Sequence, residues 1–389
     1  MKKYLTHTIW LVSLVSFFTD IASEMLYPVM PVFLNSIGFS IILIGILEGV
    51  AEATAGISKG YFGQLSDRLG KRVPFIRMGY GLSAISRPMM AAFTFPLWIF
   101  FARTLDRVGK GLRTSARDAL LSSETTPEHK GKVFGFHRSL DTLGAAIGPV
   151  AALIFLSFYP GEYALLFLIA FFPGAIAVLV TFFIRDKKTE KKVPLPKTGF
   201  FTFIKYWKVA PPELKVLFTG LLLFTFFNSS DYFLLLMLKY KGFEDTTILG
   251  FYIFYNAAYA LLAFPAGILA DKMGLKKMML IGLFIFALVY GFFGFADGIL
   301  LYALLFLGYG FYAAATEGVS KALITNLSGK ENAGTAIGFF SSFASIMALL
   351  ASTIGGIIWF AISPQAMFVF SGAGVLIVFI GFLFMKTKT

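Results

Sequence analysis

From residue 332 to residue 385 the sequence carries no charged side chain. A stretch that long has no means of presenting a wettable surface, and about 20 apolar residues already span the hydrocarbon core of a bilayer. It reads as two membrane helices folded back near Ser363 and Pro364. Segments 163–184 and 246–270 are equally free of charge. Of 389 residues, 57% are hydrophobic and 14% charged, and the mean hydropathy is +0.78, beyond what a soluble exterior allows. A membrane barrel would need alternating residues in segments of about ten. The apolar runs here are continuous, so the backbone must close its hydrogen bonds within helices.

Spans are expected near 9–33, 41–62, 74–93, 96–118, 133–157, 163–184, 216–239, 246–269, 278–296, 298–320, 334–358 and 364–385. The fold class is therefore an all-α membrane protein of twelve transmembrane helices. Basic residues recur in alternate loops: Lys2 and Lys3; Arg68, Lys71 and Arg72; Lys130 and Lys132; Lys272, Lys276 and Lys277; Lys330; Lys386 and Lys388. The opposite loops hold only Lys239 and Lys241. By the positive-inside rule both termini are cytoplasmic, in a multi-pass protein of the cell (inner) membrane. The net charge of +13 is thus accounted for by topology, and no nucleic-acid partner is expected. The N-terminal apolar stretch reads as an uncleaved first span. Residues 185–215 form the one long polar stretch, a tether between an N-terminal half (1–184) and a C-terminal half (216–389). Within it, 200–207 suits a short interfacial helix.

Cysteine is absent, which excludes disulfides and thiolate chemistry. Three histidines, no phosphate-binding glycine loop and no nucleophile–base pattern leave no metal site, cofactor or enzymatic reaction in view.

The halves repeat. Gly63-x-x-x-Asp67-Arg68-x-Gly70-Lys71-Arg72 follows the second span, and Gly267-x-x-x-Asp271-Lys272-x-Gly274 follows the eighth, a shift of 204. Gly135-Phe136 matches Gly338-Phe339 at 203. The first of these strings is a full match to the signature loop of the major facilitator superfamily, and the chain resembles that family over nearly its whole length. The fifth span carries Gly135, Gly144, Gly148 and Pro149, which resembles the antiporter motif of the superfamily's drug/proton exchangers. It departs at Ala152-Leu153, where the motif has paired glycines. The resemblance implies two six-helix bundles related by a pseudo-twofold axis along the membrane normal. It also implies a gating role for the loops, with Asp67 acting against the start of the eleventh span near Gly334.

On the fourth span Arg103, Asp106, Arg107, Lys110, Arg113 and Arg117 fall within about 120° of one helix face. A charge at mid-bilayer costs on the order of 3 kcal/mol, so this stripe must face a polar cavity or acidic partners. Asp20, Glu24, Glu48, Glu52 and Asp141 are those partners, and the C-terminal half adds Asn228, Asp231 and Glu317. Either these carboxylates exchange protons during transport or they staple helices together. Glu317 also has Lys321 one turn away. Tyr232, Tyr252, Tyr255 and Tyr309 suit the wall of an apolar binding site. The chain therefore reads as a monomeric secondary transporter, surrounded by lipid, moving a small organic solute by alternating access. Proton-coupled export is favoured. A proton-coupled importer, an organic-anion carrier and a lipid flippase or scramblase of the same fold are the alternatives.

Overall fold

A computed structural model describes residues 4–186 and 199–384. Lys2, Lys3, Lys386, Lys388 and the middle of the tether lie outside the described residues. Every regular element among those described is helical. In chain order these are α1 (His7–Glu24), α2 (Met30–Ser36), α3 (Ile41–Leu69), α4 (Val73–Ala92), α5 (Pro96–Ser123), α6 (Lys130–Phe158) and α7 (Tyr163–Thr181). Then follow α8 (Tyr206–Val209), α9 (Pro212–Phe227), α10 (Tyr232–Tyr240), α11 (Asp245–Met273), α12 (Leu275–Phe293), α13 (Ile299–Ser328), α14 (Ala333–Ala361) and α15 (Pro364–Phe384). Among the described residues, eight helical segments are long and apolar enough to cross a membrane. The long helices α1, α3, α4 and α5 fall outside that set, and each carries charged residues.

Helix ends follow local chemistry. The Ser40 hydroxyl accepts from Leu43 N at 3.2 Å and caps α3, satisfying one of the amides that a helix start leaves open. That helix ends at Gly70, whose φ of 61° is left-handed and lets the chain turn at once into α4. Two expected spans are interrupted. The first divides at 25–29, around Pro28, between α1 and α2. The seventh divides at 228–231 between α9 and α10. Proline within the former and an Asn-Ser-Ser-Asp run in the latter compete with helical hydrogen bonding, which apolar periodicity does not register.

The chain forms two compact units. One comprises Met1–Thr125, Leu140–Val209 and Gly329–Ser342; the other comprises Thr126–Ser139, Ala210–Ser328 and Phe343–Thr389. Each of α6 and α14 contributes its first residues to one unit and the remainder to the other.

In the first unit α5 packs along both α3 and α4. Glycines allow the close approach: Cβ atoms on Gly79 and Gly109 would each lie 2.6 Å from the other's carbonyl oxygen. In the second unit the core is aromatic, with Phe286, Tyr290, Tyr302, Tyr309 and Phe368 essentially inaccessible. The tether's helical turn does not lie free. Phe203 and Tyr206 are buried, Phe203 against Gly60 of α3, and Trp207 stacks on Phe339 of α14 at 6.1 Å. Burial, with the Asp67 carboxylate adding to it, pushes the Tyr206 phenol up to about 12.

Candidate functional site

The cationic stripe on α5 turns inward. Arg103, Arg107, Arg113 and Arg117 are each less than a tenth exposed, as the cost of a charge in lipid requires. Their partners come from four neighbouring elements. Arg107 pairs with Glu52 of α3 at 3.2 Å, and Arg103 with Asp106 one turn along at 3.8 Å. Arg117 meets Asp118 at 3.0 Å and Asp141 of α6 at 3.6 Å, and donates to Ser16 Oγ of α1 at 2.9 Å. Arg113 donates to Ser83 of α4 and stacks over Tyr80, 4.7 Å from the ring centroid.

A cavity of about 260 Å³ lies within this unit. The α1 residues Asp20 and Glu24, Glu52 of α3, and Arg103, Asp106 and Arg107 of α5 all line it. So do Lys110 and Arg113 of α5 and Arg87 of α4. Sequence reasoning missed Arg87. Its signal was a cation near the middle of the third span, at a depth where topology does not call for one. Asp141 does not line the cavity and is held by Arg117 instead. Glu48 lies on α3, its side chain outside the described residues. The antiporter-like glycines Gly144 and Gly148 are the sites where α6 meets α1: a Cβ on Gly148 would come within 2.7 Å of Ile21 O and Met25 N. Pro149 follows inside α6, buried.

The C-terminal candidates belong to the second unit. Asp231 accepts from the Tyr309 hydroxyl at 2.6 Å, and Asn228 donates to Tyr312 Oη at 3.0 Å. Glu317 pairs with Arg138 of α6. Of the expected tyrosine wall, Tyr255 and Tyr309 are packed against each other in the core, centroids 5.0 Å apart, while Tyr232 is 64% exposed.

The two signature loops make contacts related by the repeat. Asp67 accepts from the amides of Gly334 and Thr335, at 3.2 and 2.5 Å, and from Thr335 Oγ1 at 2.8 Å; Arg72 pairs with it. Asp271 accepts from the amides of Gly131 and Lys132, at 2.7 and 3.0 Å, with Lys132 Nζ at 3.8 Å. Each carboxylate thus leaves its own helix C-terminus and meets the N-terminus of another helix, α14 or α6, where the dipole favours negative charge. Further along the same helices Ser342 Oγ donates to Gly56 O at 2.6 Å, and Ser139 Oγ donates to Ala260 O. Cβ atoms on Gly338 and Gly135 would strike the carbonyls of Lys59 and Ala263 respectively. All these pairs correspond at shifts of 203 and 204. Arg68 beside Asp67 is half-buried, while Lys71 and Lys272 are exposed.

Apolar helices that enclose a charged cavity, and duplicated loops that tie helix ends together, define a multi-pass membrane transporter rather than an enzyme. The chain belongs to the Major Facilitator Superfamily, which it matches over residues 12–258 and 246–389, and it has that superfamily's all-helical fold. It is 31% identical over 389 residues to an uncharacterized MFS-type transporter of Methanocaldococcus jannaschii, covering 97% of this chain and 96% of that one. It is 24% identical to the multi-drug resistance efflux pump PmrA of Streptococcus pneumoniae over 273 residues, 69% of this chain and 63% of the pump. The human organic anion transporter MFSD10 (TETRAN) shares the fold, with a TM-score of 0.83 over 96% of this chain and 98% of its own at 17% identity.

Proposed function

We propose that the chain is a proton-coupled secondary transporter that exports a small organic solute by alternating access. It acts as a monomer in the cell membrane, with twelve spans in two six-helix halves, 1–184 and 216–389, and both termini cytoplasmic. The reciprocal pair of carboxylate contacts carries this reading. Asp67 and Asp271 bind helix N-termini through hydrogen bonds that water can replace, with glycines at the crossing points. Such contacts can form and break as two bundles pivot. On this topology both lie on the cytoplasmic side, so forming them closes that side.

Proton coupling is supported by Asp20 and Glu24, carboxylates on α1 that line a cavity shared with arginines. A carboxylate that changes between a cationic neighbour and an apolar one changes its proton affinity. Export is supported by the glycine-rich contact of α6 with α1, which resembles the exchangers' motif, and by the likeness to a drug efflux pump. The experiment is transport of a labelled solute panel in proteoliposomes under pH gradients of both signs. Solute should move against the proton flow and stop when the gradient is collapsed. Identical rates under both gradients would exclude coupling to protons.

A further inference from the structure

We propose that the cavity in the first unit binds its solute through an oxyanion, seated between Arg87 of α4 and Arg113 of α5. This names the solute class and rests on the transport reading above. The argument starts from which buried cations have counter-charges. Arg103, Arg107 and Arg117 each have a carboxylate within 4.0 Å. Arg87 and Arg113 are buried too, at 3% and 6% exposed, yet their hydrogen-bond partners are neutral, and Asp106 and Asp20 act on Arg87 only from beyond ion-pair distance. Arg87 Nη2 donates to Ser23 Oγ at 3.0 Å, and its Nη1, packed against Gly174 of α7, has no hydrogen-bond partner. Arg113 has the Ser83 hydroxyl and the face of Tyr80.

Buried charges are ordinarily paired. A buried carboxylate can escape its charge by taking up a proton. A guanidinium cannot shed one in a protein, so its charge must be met by an anion or by water. Both arginines line the same cavity, and they flank one turn of α4, since Ser83 lies a turn before Arg87. Planar forks of five donors suit bidentate contact with carboxylate, phosphonate or sulfonate oxygens. Asp106 also lines the cavity, but its charge is shared among Arg107, Arg103, Arg87 and Arg113, and the ion pair it forms is with Arg103. The volume, about 260 Å³, admits an aromatic acid, since a cavity of about 150 Å³ already takes benzene.

The test uses the full-length protein in detergent and a matched set of probes: benzoate and phenylphosphonate against benzylamine and benzyl alcohol. Melting temperature and calorimetric affinity are read for each. The two acids should stabilise the protein, and the amine and alcohol should not. R87Q and R113Q should each weaken acid binding by about tenfold or more, the loss of one charge-assisted fork. R87K and R113K keep the charge without the fork; they should fall between, and they stand in should either glutamine variant fail to fold. Equal response to the amine, no response to either acid, or undiminished acid binding in the variants would overturn the proposal. Acid binding without any flux in proteoliposomes would remove the transport reading and leave the oxyanion site. Proton-coupled flux of a cationic solute, unaffected by the acids or by R87K and R113K, would do the reverse.

Discussion

The two signature loops offer a controlled comparison. Asp67 and Asp271 occupy equivalent positions, meet equivalent helix N-termini and are crowded by equivalent glycines, yet their counter-charges differ. The N-terminal copy takes its cation, Arg72, from its own loop and adds the Thr335 hydroxyl. The C-terminal copy takes Lys132 from the helix it grips, at 3.8 Å. In the first, the counter-charge belongs to the carboxylate's own loop. In the second, it belongs to the helix that the carboxylate meets. A duplicated motif can therefore keep its backbone geometry while its charge pairing diverges between copies.

The sharpest way to break this comparison is to remove each carboxylate. D67A leaves three donors without their acceptor and Arg72 without its carboxylate, and should cost about 3–5 kcal/mol. D271A leaves two amides, and should cost about 1–3 kcal/mol. Thermal melts of the purified variants read the order, and equal losses would mean that the cations do not distinguish the copies. Next come the crossing glycines. A Cβ on Gly334 would lie 2.9 Å from both Asp67 Oδ1 and Gly63 O, and one on Gly131 would lie 2.7 Å from Gly267 O. G334A and G131A should therefore each destabilise by about 1–3 kcal/mol through overpacking, whereas G250A, where a Cβ meets nothing within 4 Å, should not. The smallest effects separate the accessory partners. T335V should cost about 1 kcal/mol, and K132M, which removes the 3.8 Å ion pair with Asp271, under about 1 kcal/mol. A larger loss in K132M than in T335V would invert the ranking of the two copies.

Much of this was legible in the sequence. Charge-free runs imposed membrane helices. The shift of 203 to 204 residues anticipated which residues would occupy matching contacts, because a repeated backbone makes repeated crossings. The inward turn of the α5 stripe followed from the cost of charge in lipid. What periodicity does not encode is the neighbour. It offers Asp141 and Asp20 alike as acidic partners, but only packing decides that Arg117 holds the first while the second lines the cavity. Arg87 went unnoticed because a lone cation in an apolar run has no spacing to betray it. Tyr255 and Tyr309 looked like a binding wall because composition cannot tell an aromatic core from an aromatic lining. Glu317 had a lysine one turn away in sequence, and spacing gave no hint of its ion pair with Arg138, distant in the chain.

The reciprocity of the loop contacts bears on how such a chain can arise. Loop A grips the start of helix B, and the copy of loop A grips the copy of helix B, so each half donates one grip and receives one. Were the two copies separate chains, such reciprocity is what an isologous contact would require. A lone half-length polypeptide bearing both the aspartate loop and the receiving glycine would satisfy every one of these bonds by meeting its twin. Fusing two such genes would cost no contact, and would free each half to change its cation, as Arg72 and Lys132 differ now.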